Sequence, residues 1–253
     1  MEIRSVNNKR VKEWKKLMTR KGRKKAGQYI LEGFHLVEEA LLHGAPIDTL
    51  IISEEADVSN LGAFPEEKAV YVSEDVAAYL AETGATQGVF AIVDIPSQET
   101  AGEIKGAYLL LDAVQDPGNV GTMIRTADAA GFAGVVLGEG TADLYNDKTL
   151  RSTQGSHFHL DVRQGDLGEW IRAFQTHGYP VYGTALDEKA SSYQHIRPNG
   201  PFALIMGNEG QGVRPEILEM TDKNLYIPIK GQAESLNVAV AAGILMFRLL
   251  QSE

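Results

Sequence analysis

The chain has 253 residues, 43% of them hydrophobic and 23% charged, ordinary proportions that allow one large globular domain or two smaller ones. It has no Cys, which excludes disulfides and thiolate metal sites. The net charge of −10 is uneven: residues 1–27 hold eleven Lys and Arg against Glu2 and Glu13 (+9), and the other 226 residues hold 13 basic against 32 acidic side chains (−19). A basic arm on an acidic body points to a phosphate-rich partner, nucleic acid, met by the arm. The plainer alternative is a solvated, partly helical N-terminus. Within "KKLMTRKGRKKAGQ" the apolar residues are Leu17, Met18 and Ala26, so the arm is expected to be mobile until it binds.

The opening "MEIRSVNNKRVKEW" lacks the apolar core of a signal peptide. The longest nearly apolar run, "LNVAVAAGILMF", has 12 residues, too few to span a bilayer. A cytoplasmic protein without membrane contact is therefore expected.

In chain order, "QYIL" (28–31) reads as a strand and "GFHLVEEALLHG" as a helix, with Phe34, Val37, Leu41 and Leu42 at helical spacing and Gly44 and Pro46 ending it. "DTLIIS" and "AVYVS" read as buried strands. "EDVAAYLAE" reads as a helix that Ser73 caps, with Glu74 and Asp75 in its first turn. "GVFAIVDI" is a further strand, so 28–95 forms one small α/β unit. "PSQETAGEIKG" (96–106) has the composition of a linker, or of a long surface loop.

A second alternation follows. Strands are expected at "AYLLLDAV", "GVVLG", "FHLDV", "PVYGTAL", "FALIMG" and "NLYIPI", and helices over 119–130, 146–153, 167–177, 214–220 and 235–250. Unalternating apolar strands between helices predict a parallel sheet covered on both faces. Ligands of such sheets bind beyond the carboxyl ends of the strands.

Three loops at those ends hold the distinctive residues. In "DAVQDPGNVGTMIRTADAAGF" (112–132), Asp116-Pro117-Gly118 makes a turn and Asn119 is placed to cap the next helix. Val120, Met123, Ile124 and Ala127 form that helix's buried stripe, and Arg125 stands off it. Arg125 can lean toward the helix start, over Gly121, where backbone amides favour anions. Equally, Asn119 is only a cap and Arg125 only a surface residue paired with Asp128. In "LIMGNEGQGV" (204–213) glycines permit close backbone approach, and one carboxylate, Glu209, sits among them. The loop is neither G-x-G-x-x-G nor a P-loop, and alone it reads equally as a flexible turn. In "YIPIKGQAESLNVAVAAGILMFRLL" (226–250) Ser235 or its neighbour opens a helix that is apolar or small nearly all round, buried within its domain or against another subunit. Asn237 is the polar exception there, and if buried it needs a partner.

Together the three loops resemble motifs 1, 2 and 3 of the SpoU (TrmH-like) RNA ribose 2′-O-methyltransferases of the SPOUT superfamily. The matching stretches are "NVGTMIRTADAAGF", "LIMGNEGQGV" and "IPIKGQAESLNVAVAAGILMF", in the family's order. "YILEGFHLVEEAL" (29–41) more weakly resembles the start of an L30e-like substrate-binding domain. Composition and the resemblance together imply an α/β chain with four parts, the arm and linker from composition and the two domain types from the resemblance. These are a basic arm (1–27), a smaller L30e-like N-terminal domain (28–95), a linker (96–106) and a parallel-sheet SPOUT domain (107–253) with a deep trefoil knot. Generic topology rules would not have predicted the knot. The resemblance also implies a homodimer with the last helix near the interface.

Carried over one residue at a time, the resemblance makes Asn119, Arg125, Glu209, Ser235 and Asn237 the candidate catalytic set. An S-adenosylmethionine pocket is implied along Thr184, Ala185, Leu186, Met206, Gly207, Ile227, Pro228 and Leu236. "RSTQGSHFHL" matches the family's pattern only loosely, which leaves Arg151 and His157 as candidate RNA contacts, His157 more in keeping with a structural role. The implied reaction is methyl transfer to a ribose 2′-OH, in 23S ribosomal RNA by the two-domain layout. The family's proposal has the motif 1 Arg activate the hydroxyl, but free Arg is a poor base because its pKa exceeds ~12. A role for Arg125 in holding the phosphate and steadying the developing alkoxide suits it better. Rival readings are a tRNA ribose or base methyltransferase of the same superfamily and a non-catalytic RNA-binding protein. A dehydrogenase is disfavoured because no strand runs into G-x-G-x-x-G.

Overall fold

The computed structural model describes residues 2–59, 61–82, 84–96, 104–186 and 190–250. In chain order its elements begin β1 (Glu2–Ile3), α1 (Lys9–Lys16), α2 (Arg20–Ala26), β2 (Gln28–Glu32), α3 (Phe34–Leu42), β3 (Ile47–Ser53), β4 (Ala69–Val72), α4 (Glu74–Leu80) and β5 (Val89–Asp94). They continue with β6 (Tyr108–Leu111), α5 (Pro117–Ala130), β7 (Gly134–Leu137), α6 (Asp147–Thr153), β8 (Asp161–Gln164), α7 (Leu167–Thr176) and β9 (Val181–Thr184). The last are β10 (Ser191–Ser192), β11 (Ala203–Met206), α8 (Pro215–Leu218), β12 (Lys223–Tyr226) and α9 (Val238–Leu249). The chain folds as two compact units. One is Met1–Ser97 with Tyr145–Phe158, and the other is Gln98–Leu144 with His159–Glu253. Most of the expected linker, 97–103, lies outside the described residues.

The first unit is built on a five-stranded sheet ordered β1-β4-β3-β5-β2, with β5 antiparallel to both β2 and β3. Runs such as "LIIS" and "VFAIV" are buried along their whole length because helices cover them, so they show no polar alternation. The segment Tyr145–Phe158, which chain order alone puts with the C-terminal domain, belongs to this unit. There α6 packs on β2, and Leu150 joins Leu31, Val37 and Leu50 in one core cluster.

The N-terminal arm is folded, which corrects the expectation of a mobile segment. Val11 and Trp14, three residues apart on α1, lie on one helical face and are buried with Ile3 and Leu17 against Val72, Val76 and Leu80. Asn8 caps α1 by accepting from Arg10 N (2.9 Å), and Thr19 caps α2 by accepting from Gly22 N (3.1 Å). The buried Arg23 of α2 donates through Nη1 to the carbonyls of Leu17 (2.8 Å) and Met18 (3.0 Å), tying the second helix to the end of the first. Four well-placed apolar side chains anchor a segment whose composition is dominated by cations. Ser73 occupies the cap position of α4, but its hydroxyl donates to Arg4 O (3.3 Å) instead of serving as the cap acceptor.

The second unit is a seven-stranded sheet ordered β10-β12-β9-β11-β6-β7-β8, parallel at every pairing, as the apolar runs predict. Tyr108, Leu110, Ala203 and Ile205 point to the face covered by α7 and α8, in a cluster with Trp170, Phe174 and Ile217. The alternate residues Leu109, Leu111, Leu204 and Met206 are as deeply buried on the opposite face. That face carries α5 and α9, which pack on each other and on β7 and β11. The strand expected over 158–162 starts later, at Asp161, because Ser156–Phe158 forms a 3₁₀ turn.

Candidate functional site

The site assembles within the second unit, beyond the carboxyl ends of β6, β9, β11 and β12. Its foundation is Asp112, directly after β6 and without exposed surface. Asp112 Oδ2 accepts from Arg214 N (2.8 Å), and Oδ1 accepts from Arg214 Nε (2.8 Å) and Nη2 (2.8 Å). The next residue, Ala113, takes φ +55°, a left-handed conformation that residues other than Gly resist. Its carbonyl accepts from Asn208 Nδ2 (2.9 Å). These two contacts pin the start of the β6–α5 loop to the Gly207–Gly212 loop.

That glycine-rich loop is ordered. Asn208 and Gly212 exchange backbone hydrogen bonds of 3.0 and 2.9 Å. Asn208 Oδ1 accepts from Gly210 N (2.9 Å) and Gln211 N (3.1 Å). A Cβ at Gly207 would stand 2.1 Å from the backbone of Gly212 and Val213, so the loop closes on itself only with glycine there. Gly212 sits at φ +73°. Two of the glycines thus shape a tight loop and present Glu209 from its tip.

Glu209 reaches back to the start of α5. Its Oε2 accepts from Gln115 N (3.1 Å), and its Oε1 accepts from Asp116 N (3.1 Å) and Asn119 Nδ2 (3.0 Å). Partial burial pushes this carboxyl up, but the Asn119 side chain and the backbone amides outweigh it and hold it below the usual carboxylate range. Asn119 is not the cap of α5, which corrects the simplest sequence expectation. Asp116 takes that place, accepting from Asn119 N (2.9 Å) with Pro117 in the first turn. Capping by Asp116 frees the Asn119 amide for the site.

The chain of amides continues to the third loop. Asn237 Nδ2 donates to Asn119 Oδ1 (3.1 Å), so both ends of the Asn119 amide are committed. Asn237 Oδ1 accepts from Ala239 N (2.9 Å) and Val240 N (3.2 Å), which makes Asn237 the cap of α9. The helix begins at Val238 and not at Ser235 as the pattern suggests. Ser235 lies on the exposed loop before it.

Arg125, on α5, is exposed, and among the described residues its side chain has no hydrogen-bond or ion-pair partner. The alternative pairing with Asp128 does not form, because Asp128 Oδ2 is taken by His159 Nδ1 at 2.7 Å.

A cavity of about 260 Å³ opens beside these groups. It is lined by Thr184, Ala185, Leu186, Met206, Gly207, Ile227 and Leu236, seven of the eight residues expected for a cofactor pocket. Pro228 is the exception, exposed between Ile227 and Ile229 and not part of the lining. Leu225, Val238, Ala241 and Leu245 add an apolar wall, and Glu209, Glu234 and Ser235 stand on the rim. The described lining holds two carboxylates and no basic side chain. An apolar wall suits a purine face, and acidic groups without a competing cation suit a sulfonium bearing an ammonium group, so these residues fit S-adenosylmethionine.

Arg151 and His157 fall in the first unit. Arg151 pairs with Asp147 one turn back on α6. His157 packs edge-on to Tyr29 (6.5 Å between centroids) and against Phe158 (3.9 Å), with Nδ1 3.0 Å from Thr153 Oγ1, in keeping with a structural role.

The family model for the SpoU rRNA methylases matches residues 106–247, the segment that holds the three loops and the cavity. The chain belongs to the SpoU rRNA methylase family. A second model, for the MRM3-like substrate binding domain, matches residues 8–91, starting at the cap of α1 and including both basic helices. The chain is 49% identical over 249 residues, 98% of either protein, to the 23S rRNA (guanosine(2553)-2′-O)-methyltransferase RlmP of Bacillus subtilis (strain 168). It is similar in structure to an AdoMet-bound rRNA methyltransferase from Sinorhizobium meliloti (TM-score 0.88, 32% identity, 98% of this chain and 96% of that one). It is also similar to the SpoU methyltransferase AviRb from Streptomyces viridochromogenes in complex with AdoMet (TM-score 0.84, 27% identity, 96% and 97%).

Within this SpoU domain the supporting residues Asp112, Asp116, Asn208 and Arg214 escape a reading by motif. Asp112 carries the one usable signal, a carboxylate ending the run "YLLLD" where burial demands a partner. That the partner is Arg214 is not written in the spacing.

Proposed function

We propose that this protein transfers a methyl group from S-adenosylmethionine to a ribose 2′-OH of 23S ribosomal RNA, in the cytoplasm. The observation that carries the reading is the Glu209–Asn119–Asn237 chain beside an acid-rimmed cavity in the SpoU-matched segment. The Bacillus subtilis relative, 49% identical, makes guanosine 2553 the first nucleotide to test. The substrate-binding domain model at 8–91 favours ribosomal RNA over the tRNA alternative.

When bound, S-adenosylmethionine supplies a methyl group activated by a sulfonium. The protein's share is to position the hydroxyl and manage one proton. Glu209 acts as an organiser: a carboxylate that accepts three hydrogen bonds and is held below its ordinary range is a weak base at neutral pH. It fixes the Asn119 amide, and Asn237 holds that amide from the other end while starting α9. Ser235 on the rim is a hydroxyl donor or acceptor for ligand groups. Arg125, exposed and unengaged, is free to grip a phosphate in bidentate fashion and to steady charge developing on the ribose oxygen. The proton then leaves through phosphate or water.

The homodimer and the deep knot belong to the same proposal. Val240 and Phe247, one heptad apart on α9, are 54% and 48% exposed, an apolar stripe that a second copy would cover. Mapping 2′-O-methyl groups in 23S rRNA from a strain lacking the gene tests the reaction. An unchanged map with methyl lost from a tRNA would overturn the substrate assignment, and light scattering tests the dimer.

A further inference from the structure

The basic arm holds its cations in an arrangement that costs the fold stability. On α1 and α2, Lys9, Lys12, Lys16, Arg20, Lys21, Lys24 and Lys25 are all exposed, and among the described residues none of their side chains has a hydrogen-bond or ion-pair partner. Lys12–Lys16, Arg20–Lys24 and Lys21–Lys25 are like-charged pairs four residues apart in sequence and one turn apart on a helix, a spacing that repels. Lys9, Lys12, Arg20 and Lys21 stand in first turns, where the helix dipole disfavours cations, and neither first turn holds an acid. Over 9–25 the lone acidic residue is Glu13.

Lys16, Lys24 and Lys25 stand in last turns, which the dipole favours, but among the described residues no ion pair neutralises the seven cations, and the helices are nonetheless firmly seated. Trp14 is in the core, Arg23 ties α2 to α1, and Arg10 lies 5.1 Å over the Trp14 ring while its Nη2 donates to Thr49 Oγ1 (3.3 Å). Beside the helices a cavity of about 380 Å³ is lined by Arg10, Lys16, Lys25 and Trp14 together with the acids Glu13 and Asp48.

We infer that α1 and α2 form a preformed docking face for the phosphodiester backbone of RNA, sequence-neutral and separate in chemistry from the methyl-transfer site. The inference rests on the proposed function and names where on the substrate-binding part the RNA is gripped. Phosphates neutralise the row of cations, and a fixed face grips them without first ordering a flexible arm. The base–edge contacts that choose a nucleotide are made elsewhere. This face supplies affinity, with a steep dependence on salt.

The test compares the full-length protein with a Lys16→Gln/Lys21→Gln/Lys24→Gln/Lys25→Gln variant. Binding to a short 23S rRNA fragment and to an unrelated hairpin is measured across a salt series. The expected result is a loss of at least about tenfold in affinity for both RNAs near physiological salt, and a log–log salt slope shallower by about 2–4. Calorimetric binding of S-adenosylmethionine stays unchanged, and the melting temperature holds or rises as repulsion is relieved. Equal affinity and slope in variant and parent overturn the inference. So does a loss confined to the 23S fragment, which would mean sequence readout. A parent that binds S-adenosylmethionine but neither binds nor methylates 23S rRNA overturns the functional reading as well, whereas a methylating parent with an indifferent variant overturns the docking face alone. Independently of any variant, bound RNA should shield Lys16, Lys21, Lys24 and Lys25 of the parent from acetylation. Unshielded lysines contradict the inference.

Discussion

Glu209 and Asn119, ninety residues apart in the chain, meet through a 3.0 Å hydrogen bond from the Asn119 amide to the Glu209 carboxylate. The same carboxylate takes the backbone amides of Gln115 and Asp116, so one side chain holds the start of α5 against the glycine loop. Glu209→Gln keeps the shape but turns one oxygen into a donor facing donors. Turnover should fall by about a hundredfold, with S-adenosylmethionine affinity within a few-fold of the parent. Single-turnover methylation and calorimetry separate the two. A loss confined to cofactor affinity would contradict the organising role.

The same carboxylate sets a pH dependence. Its folded pKa is depressed, so it binds protons less readily folded than unfolded, and its contribution to stability is fully present above the ordinary Glu value of about 4.3. That contribution is lost as pH falls through the lower folded value. Acid unfolding followed from neutral pH downward should therefore show the Glu209→Gln protein losing less stability than the parent below about pH 4.

Arg125 stands free beside Asp128, which His159 already occupies. Arg125→Lys keeps the charge but loses the planar fork. Turnover on RNA should drop by about tenfold to a hundredfold without a change in melting temperature. Near-normal activity in the lysine variant would remove the bidentate argument.

Asp112 is buried and holds Arg214 through three contacts. Asp112→Asn should cost about 2 kcal/mol in urea unfolding, because a buried amide in place of the carboxylate loses the charge and turns one acceptor oxygen into a donor facing the N–H groups of Arg214. Activity should fall with stability, since the loop that carries Glu209 is hinged at this pair.

Trp14 distinguishes a seated arm from a loose one. Trp14→Ala should destabilise the first unit by about 3 kcal/mol or more, as removal of a buried indole does. A mobile arm would give no change in a denaturant melt.

The three loops are legible in the sequence because strand ends followed by glycines and small polar residues have strong local signatures, and because their order and spacing resemble one family. The parallel sheet is legible for a similar reason, since "YLLL", "GVVL" and "ALIM" are apolar without alternation. Composition misjudges the arm because it counts cations, while folding depends on where Ile3, Val11, Trp14 and Leu17 fall. Asn119 looks like a cap in the sequence, but Asp116, three residues earlier, takes the cap position with a better-placed oxygen.

Local periodicity and motif order are written along the chain, so the alternating strands and helices after residue 28, the family and the polar residues at the strand ends can be read from it directly. How those residues are used depends on packing between segments far apart in the chain. Partners such as Asp112 with Arg214 and Glu209 with Asn119 are chosen by which strands lie side by side in the sheet and by which buried polar groups must then find each other.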